Sequence, residues 1–257
     1  MATIAIAAQA NAQQDYAAMM YRMHHDERPV ANASWIAPRT EVDTERVAYM
    51  GPVMGNTNGY LARPHGGGHY PAVVMIHEWW GLNDNIRMEA RRLAGEGYTV
   101  LAVDLYHGKT AQKPDDARNL VLDVVHNPSD AIANLNAAVA YLKSKGAQKI
   151  GVMGWCFGGA WSIQEAVNGA GGIDADIAYY GTPVTDPAKL AKMPPFLGLY
   201  GSLDDGIPTD SVKKMQTALE GLHKPVEVKI YDGAHHAFAN PSGQHYDKAA
   251  ADDAWQR

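Results

Sequence analysis

The sequence predicts an α/β protein built on one mostly parallel, doubly wound sheet with helices on both faces. Three observations carry that expectation. Strand-like and helix-like segments alternate from residue 71 onward, the order that yields parallel strands joined by crossover helices. Pro71-Ala72-Val73-Val74-Met75-Ile76-His77 is a continuous apolar run, as expected of a strand buried on both faces. Ile150 to Gly159 reads as another buried strand, which breaks at Gly154-Trp155-Cys156-Phe157-Gly158 and enters a helix.

The elements follow in order. Residues 1–42 are expected to form an N-terminal arm, ahead of one domain over 43–257. In the arm, Tyr16, Met19, Met20 and Met23 have helical spacing, and Pro29 to Thr40 is irregular. Arg46–Met50 and Thr57–Arg63 read as an antiparallel pair. Asp84 is expected to cap a helix through Leu93 that stops at Gly95 or Gly97. Tyr98–Val103 is a strand, Pro114–Val124 a short helix, and Ser129-Asp130 the start of a helix with apolar Ile132, Leu135, Val139 and Leu142. Beyond the break at Cys156, strands are expected at Ala175–Tyr180, Phe196–Tyr200 and Val226–Tyr231, the last alternating as an edge strand does. Helices are expected at Thr209–Leu222 and His245–Trp255.

Composition narrows the function. Hydrophobic content of 46% over 257 residues, with 19% charged, suits a soluble globular protein. A net charge of −6 argues against nucleic acid or an anionic membrane surface as partner. No apolar run reaches the roughly 18 residues of a membrane span. The opening Ala2–Ala8 is small and apolar, and Ala10-Asn11-Ala12 has the A-x-A form of a signal-peptidase site, but a basic region before it is missing. Residues 1–12 are therefore either a signal remnant of an exported protein or an Ala-rich arm of a cytoplasmic one. The oligomeric state is not legible.

The candidate chemistry begins at Cys156, the only cysteine. G-x-C-x-G is the nucleophile-elbow frame with Cys in the place of Ser. Gly154 and Gly158 are expected because a Cβ at either would collide with the neighbouring strand and helix. The following helix N-terminus favours a thiolate and, later, an oxyanion. The competing reading of Cys156 is a small buried hydrophobe. In an open parallel sheet chemistry collects beyond the C-terminal strand ends, where Glu78, Cys156, the pair Asp204 and Asp205, and His236 all fall. The order nucleophile, acid, histidine is the one this architecture uses, with His as proton carrier and carboxylate as its orienter. The histidines of Pro64-His65-Gly66-Gly67-Gly68-His69 read as a solvated loop and not as metal ligands.

Five blocks, His77-Glu78-Trp79-Trp80-Gly81-Leu82-Asn83, Ala102–Tyr106, Gly154–Gly159, Tyr200–Asp204 and Gly233–Phe238, together resemble the signature of the dienelactone hydrolase family. The resemblance spans about residues 45–257. It implies an α/β-hydrolase fold and hydrolysis of an ester or lactone through a Cys acyl-enzyme. It also implies Cys156 as nucleophile, His236 as base, and Asp204 rather than Asp205 as acid, with His235 a neighbour. The matching Glu, Glu78, contacts the resting thiol in that family and helps convert it to thiolate. Backbone N–H groups of Trp79 and Phe157 would form the oxyanion hole. No metal or organic cofactor is implied.

The sequence departs from the family where arginines bind a substrate carboxylate: His107-Gly108-Lys109 and Asn240 stand there instead. Losing bidentate recognition weakens anionic lactones. Trp80, Tyr106, Trp155 and Asn240, with Trp79, are expected to line a wide pocket for neutral, bulky or aromatic esters, the competing reading of the tryptophans being ordinary core. Neutral phosphotriesters are an alternative on the same triad. A redox-sensing thiol and a non-catalytic binding protein are the rivals from other classes. The first lacks a resolving Cys, and the second leaves the triad unexplained.

Overall fold

The computed structural model describes residues 14–27, 35–50 and 57–257. Residues 1–12, with the signal-like segment, lie outside them. One eight-stranded sheet runs in the order β1-β2-β4-β3-β5-β6-β7-β8. Its strands are β1 (Val42–Ala48), β2 (Asn58–Pro64), β3 (Ala72–Ile76), β4 (Thr99–Val103), β5 (Ile150–Trp155), β6 (Ala175–Tyr179), β7 (Phe196–Gly201) and β8 (Val226–Tyr231). The pairs β1–β2 and β2–β4 are antiparallel and the other five are parallel. The helices are α1 (14–24), α2 (Asp84–Ala94), α3 (Pro114–His126), α4 (Pro128–Ser144), α5 (Phe157–Asn168), α6 (Pro187–Leu190), α7 (Thr209–Gly221) and α8 (Lys248–Gln256).

The expected elements are present, with shifted ends. The first strand begins at Val42, inside the span read as an arm, and ends before Met50. Its register against β2 pairs Val42 with Pro64, so cross-strand hydrogen bonding extends it beyond its apolar stretch. Asn83, not Asp84, caps α2, its side chain accepting from the Ile86 N–H; an Asx cap sits one residue before the first helical position. The helix α4 starts at Pro128, its fixed φ suiting the first turn. Asp247 caps α8, two residues after the expected start.

Every residue of β3 is buried, as its unbroken apolar run requires. At its C-terminal end His77 ties two strands together. Its Nδ1 lies 2.6 Å from the Glu78 carbonyl, and its Nε2 accepts the Leu105 N–H at 3.2 Å. That pairing sets the tautomer with the proton on Nδ1. Asp104 then accepts from the Tyr106 and Gly108 N–H groups, fixing the loop after β4.

Burial also strains the charge balance of the core. Burial pushes Asp176 on β6 up to about 8, Glu89 on α2 up to about 7 and Glu78 up to about 8. Between the unfolded carboxyl range and these values the folded chain holds protons that the unfolded chain has released. The contribution of these three carboxyls to stability therefore falls as pH rises from about 5 to 8, while the buried His24 and His77, whose pKa values burial lowers, act the other way. Asp176→Asn should raise the melting temperature by roughly 5 °C at pH 8 and little at pH 5.5; equal shifts at both pH values would contradict a buried carboxyl that titrates late.

Candidate active site

The site is built from strand ends. Leaving β5, the chain turns at Cys156, whose φ of 58° and ψ of −115° lie outside the comfortable range for a residue with a side chain. Neighbouring glycines permit the turn. A Cβ on Gly154 would lie 2.4 Å from the carbonyl of Gly158, and one on Gly158 would lie 2.3 Å from the Ile76 oxygen. These are backbone atoms with no rotamer to escape to. The Cys156 N–H donates to the Tyr179 carbonyl at 3.0 Å, anchoring the strained residue to β6.

His236 follows β8 and Asp204 follows β7. The two meet at 2.7 Å, His236 Nδ1 to Asp204 Oδ2, both buried. The other Asp204 oxygen accepts the Gly206 and Ile207 N–H groups. Burial raises the Asp204 carboxyl, but His236 and the two amides outweigh it and hold it below the ordinary range. Asp205 is exposed. His235 is exposed and stacks on His245. The Nε2 of His236 is buried without a hydrogen-bond partner, and a ring nitrogen of His236 lies within 4.8 Å of the Cys156 sulfur. The thiol, imidazole and carboxylate expected from the sequence are therefore brought together.

The thiol is not the exposed thiolate that the helix N-terminus suggested. Cys156 is 3% exposed. Burial and the nearby Glu78 carboxyl push its pKa well up, while the Phe157 N–H works the other way. That same N–H is the one expected in the oxyanion hole. Glu78 is buried, and its Oε2 accepts from Asn240 Nδ2 at 2.7 Å. Asn240 is itself buried and held by Asn85 and Ser242. The residue standing at the family's arginine position thus orients Glu78.

The wide aromatic pocket expected from the sequence is not formed by the residues named for it. Trp80 packs on Trp79. Tyr106 lies between His77 and Phe157 and donates to the Trp79 carbonyl at 3.0 Å. Trp155 stacks on Tyr179. All are at most 5% exposed, because large rings at strand ends gain more from the core than from solvent. An apolar groove of about 720 Å³ lies elsewhere, lined by Tyr16, Ile132, Ala160, Trp161, Thr182 and Pro183.

Sequence reasoning missed the side of the site built by His24, Met20 and Glu27. The helix α1 lies across it and places His24 Nε2 3.4 Å from the Cys156 sulfur. The His24 Nδ1 meets Glu27 Oε2 at 2.8 Å, and its ring lies 4.7 Å from Trp79 and 5.0 Å from His236. Met20 Sδ is 4.0 Å from the sulfur. Burial lowers the His24 pKa against the pull of Glu27, which disfavours its imidazolium. The available signal was the Tyr16-Met19-Met20-Met23 stripe, with His24 one turn beyond Met20 on the same face.

A cysteine on a glycine-lined elbow, facing a His–Asp pair over an eight-stranded sheet, defines the class as α/β-hydrolase. The dienelactone hydrolase family profile matches residues 57–257. The chain belongs to the dienelactone hydrolase family. It is 37% identical to protein usf of Aquifex pyrophilus, over 77% of this chain and 88% of that one. It is 34% identical to a Saccharolobus solfataricus protein named "putative carboxymethylenebutenolidase", over 72% of this chain and 86% of the relative. The crystal structure of a dienelactone hydrolase-like promiscuous phosphotriesterase from metagenomic libraries superposes with a TM-score of 0.75 at 23% identity, covering 84% of this chain and 95% of that one.

The elbow makes a sharp prediction. Gly158→Ala should lose about 3 kcal/mol or more in urea unfolding, or fail to fold. Gly151→Ala, whose added Cβ would meet nothing nearer than 3.7 Å, should stay within about 1 kcal/mol of the parent. Similar losses for the two would remove the steric account of the elbow.

Proposed function

We propose that this hydrolase of dienelactone hydrolase type cleaves neutral esters or lactones through a thioester on Cys156. The observation that carries the reading is the unpartnered, buried His236 Nε2 near the sulfur, with Nδ1 committed to Asp204. An imidazole so oriented accepts the thiol proton and returns it to the leaving group, and the carboxylate stabilises the imidazolium between. Hydrogen bonds of this kind tighten when substrate arrives. Before then α1 must withdraw, because Met20 and His24 occupy the space beside the sulfur.

The proposed steps are these. Cys156 attacks the carbonyl carbon as its proton passes to His236. The oxyanion rests on the Phe157 and Trp79 N–H groups. The alkoxide leaves with the proton from His236, and water, deprotonated by the same imidazole, cleaves the thioester. Glu78, raised to about 8, stays largely protonated near neutrality, so it does not oppose thiolate formation as a fixed anion would. The Asn240 hydrogen bond holds it in place.

Charge supports neutral substrates. The carboxyl groups of Glu27 and Asp204 act on the thiol, and Asn240 supplies no cation. The groove beside Tyr16 is apolar along Ile132, Trp161 and Pro183, which suits a bulky acyl or alcohol group once α1 moves. Neutral phosphotriesters are the second reading, favoured by the fold shared with the metagenomic phosphotriesterase.

Three measurements test this. Stopped-flow with a neutral aryl ester should give a burst and then steady turnover, both lost in Cys156→Ala; turnover by that variant would end the proposal. Neutral aryl esters should exceed carboxylate-bearing lactones in kcat/KM by roughly ten-fold or more. Glu78→Gln should lower kcat about ten-fold or more with an unchanged far-ultraviolet dichroism spectrum. Parental turnover in that variant would leave Glu78 a purely structural residue.

A further inference from the structure

We propose that docking of α1 completes a site for a thiophilic divalent cation, zinc(II) by preference, whose protein ligands are His24 Nε2, Cys156 Sγ and His236 Nε2. Each of the three residues is buried and offers one donor atom, and the donors lie within 4.8 Å of one another. A tetrahedral zinc ion with Zn–S near 2.3 Å and Zn–N near 2.0–2.1 Å spaces its donors about 3.5 Å apart. The sulfur and His24 Nε2 already stand 3.4 Å apart. The His236 ring needs to close by little more than 1 Å from the outer limit of the cluster.

Two independent features mark this as more than three side chains in proximity. The first is the orphaned His236 Nε2, buried without a partner on a ring that places a nitrogen in the cluster. The second is the pair of outer carboxylates. His24 gives its Nδ1 to Glu27 and His236 gives its Nδ1 to Asp204, at 2.8 and 2.7 Å. Each imidazole is thus held in the tautomer that leaves Nε2 free, with a carboxylate behind it to raise its basicity. That arrangement is the usual support of a metal-bound histidine. A hydrolytic triad accounts for one such His–carboxylate pair. It leaves the His24–Glu27 pair, on a different part of the chain, without a task. The Met20 thioether, 4.0 Å from the sulfur, adds soft surroundings for a cation.

The chemistry balances without an oxidant. The Cys156 thiol releases its proton to solvent and the sulfur forms a bond to the ion, which gives up water ligands in exchange. Two neutral imidazoles and one thiolate leave the ion with a net positive charge facing Glu27 and Asp204. Because the ion uses the sulfur and the His236 nitrogen, the loaded protein cannot attack an ester. Withdrawal of α1 removes one of the three ligands and weakens the site. Metal binding itself does not depend on the esterase reading and is measured apart from it.

The test uses the full chain, stripped of metal and titrated with cobalt(II) and then zinc(II). One cobalt(II) per chain should bind, with an intense thiolate-to-cobalt band in the near ultraviolet that zinc(II) abolishes. By calorimetry Glu27→Gln should weaken zinc(II) about 10–100-fold, and His24→Ala more. Absence of the thiolate band in the parent overturns the proposal, as does a His24→Ala protein that binds zinc(II) as tightly as the parent. Should His24→Ala not fold, Glu27→Gln decides: affinity equal to the parent is again fatal. Zinc(II) should also inhibit ester turnover and a chelator should restore it, with His24→Ala needing more zinc(II) for half inhibition. Were the chain to hydrolyse no ester at all, the cobalt band and the calorimetry would still decide the metal site.

Discussion

The close approach of Gly158 to the end of β3 is the constraint on which the rest of the site depends. The helix α5 starts directly after Cys156, so its first turn must pass the Ile76 and His77 carbonyls at a distance that excludes any side chain. That approach forces the chain into a reversal at Cys156 and leaves it with a positive φ. Strain of this kind persists only where the surroundings over-determine it. Here the Cys156 N–H is held by β6, and glycines flank the turn on both sides.

The remaining groups are placed by the same sheet. Parallel strands deliver their C-terminal ends to one edge, so residues 78, 156, 204 and 236 converge although they are far apart in the chain. What the sheet cannot do is decide their protonation. Burial does that. It raises Glu78 and the thiol, lowers His24, and is overcome only at Asp204, where an imidazole and two amides supply compensating interactions. The resting site is therefore neutral at the sulfur and closed by α1.

Much of this was legible before the fold was known. The alternation of strand and helix, the unbroken apolar run at Val73–Ile76 and the elbow frame are local patterns, and each has one economical structural solution. Asp204 was chosen over Asp205 by its place in a block, and the hydrogen bond to His236 agrees. The tryptophans stayed open between pocket and core because an aromatic side chain near a strand end looks the same in sequence whether it lines a cavity or fills the core. Trp155 points to Tyr179 and Tyr106 to the Trp79 carbonyl, and neither choice is encoded locally. Asn240 was read against an absent arginine, whereas its amide is spent on Glu78.

By itself the sequence determined the α/β architecture and the cysteine at its elbow, while Asp204 and His236 were picked out by resemblance to a family. It could do so because glycine spacing and hydrophobic period report the conformation of neighbouring residues. Only the tertiary structure decided that His24 and Glu27 stand against the thiol, that the aromatic residues are core, and that the sulfur is sealed. These facts depend on how α1 packs across strand ends more than a hundred residues away. A helical stripe shows that a face will be buried, but not against what.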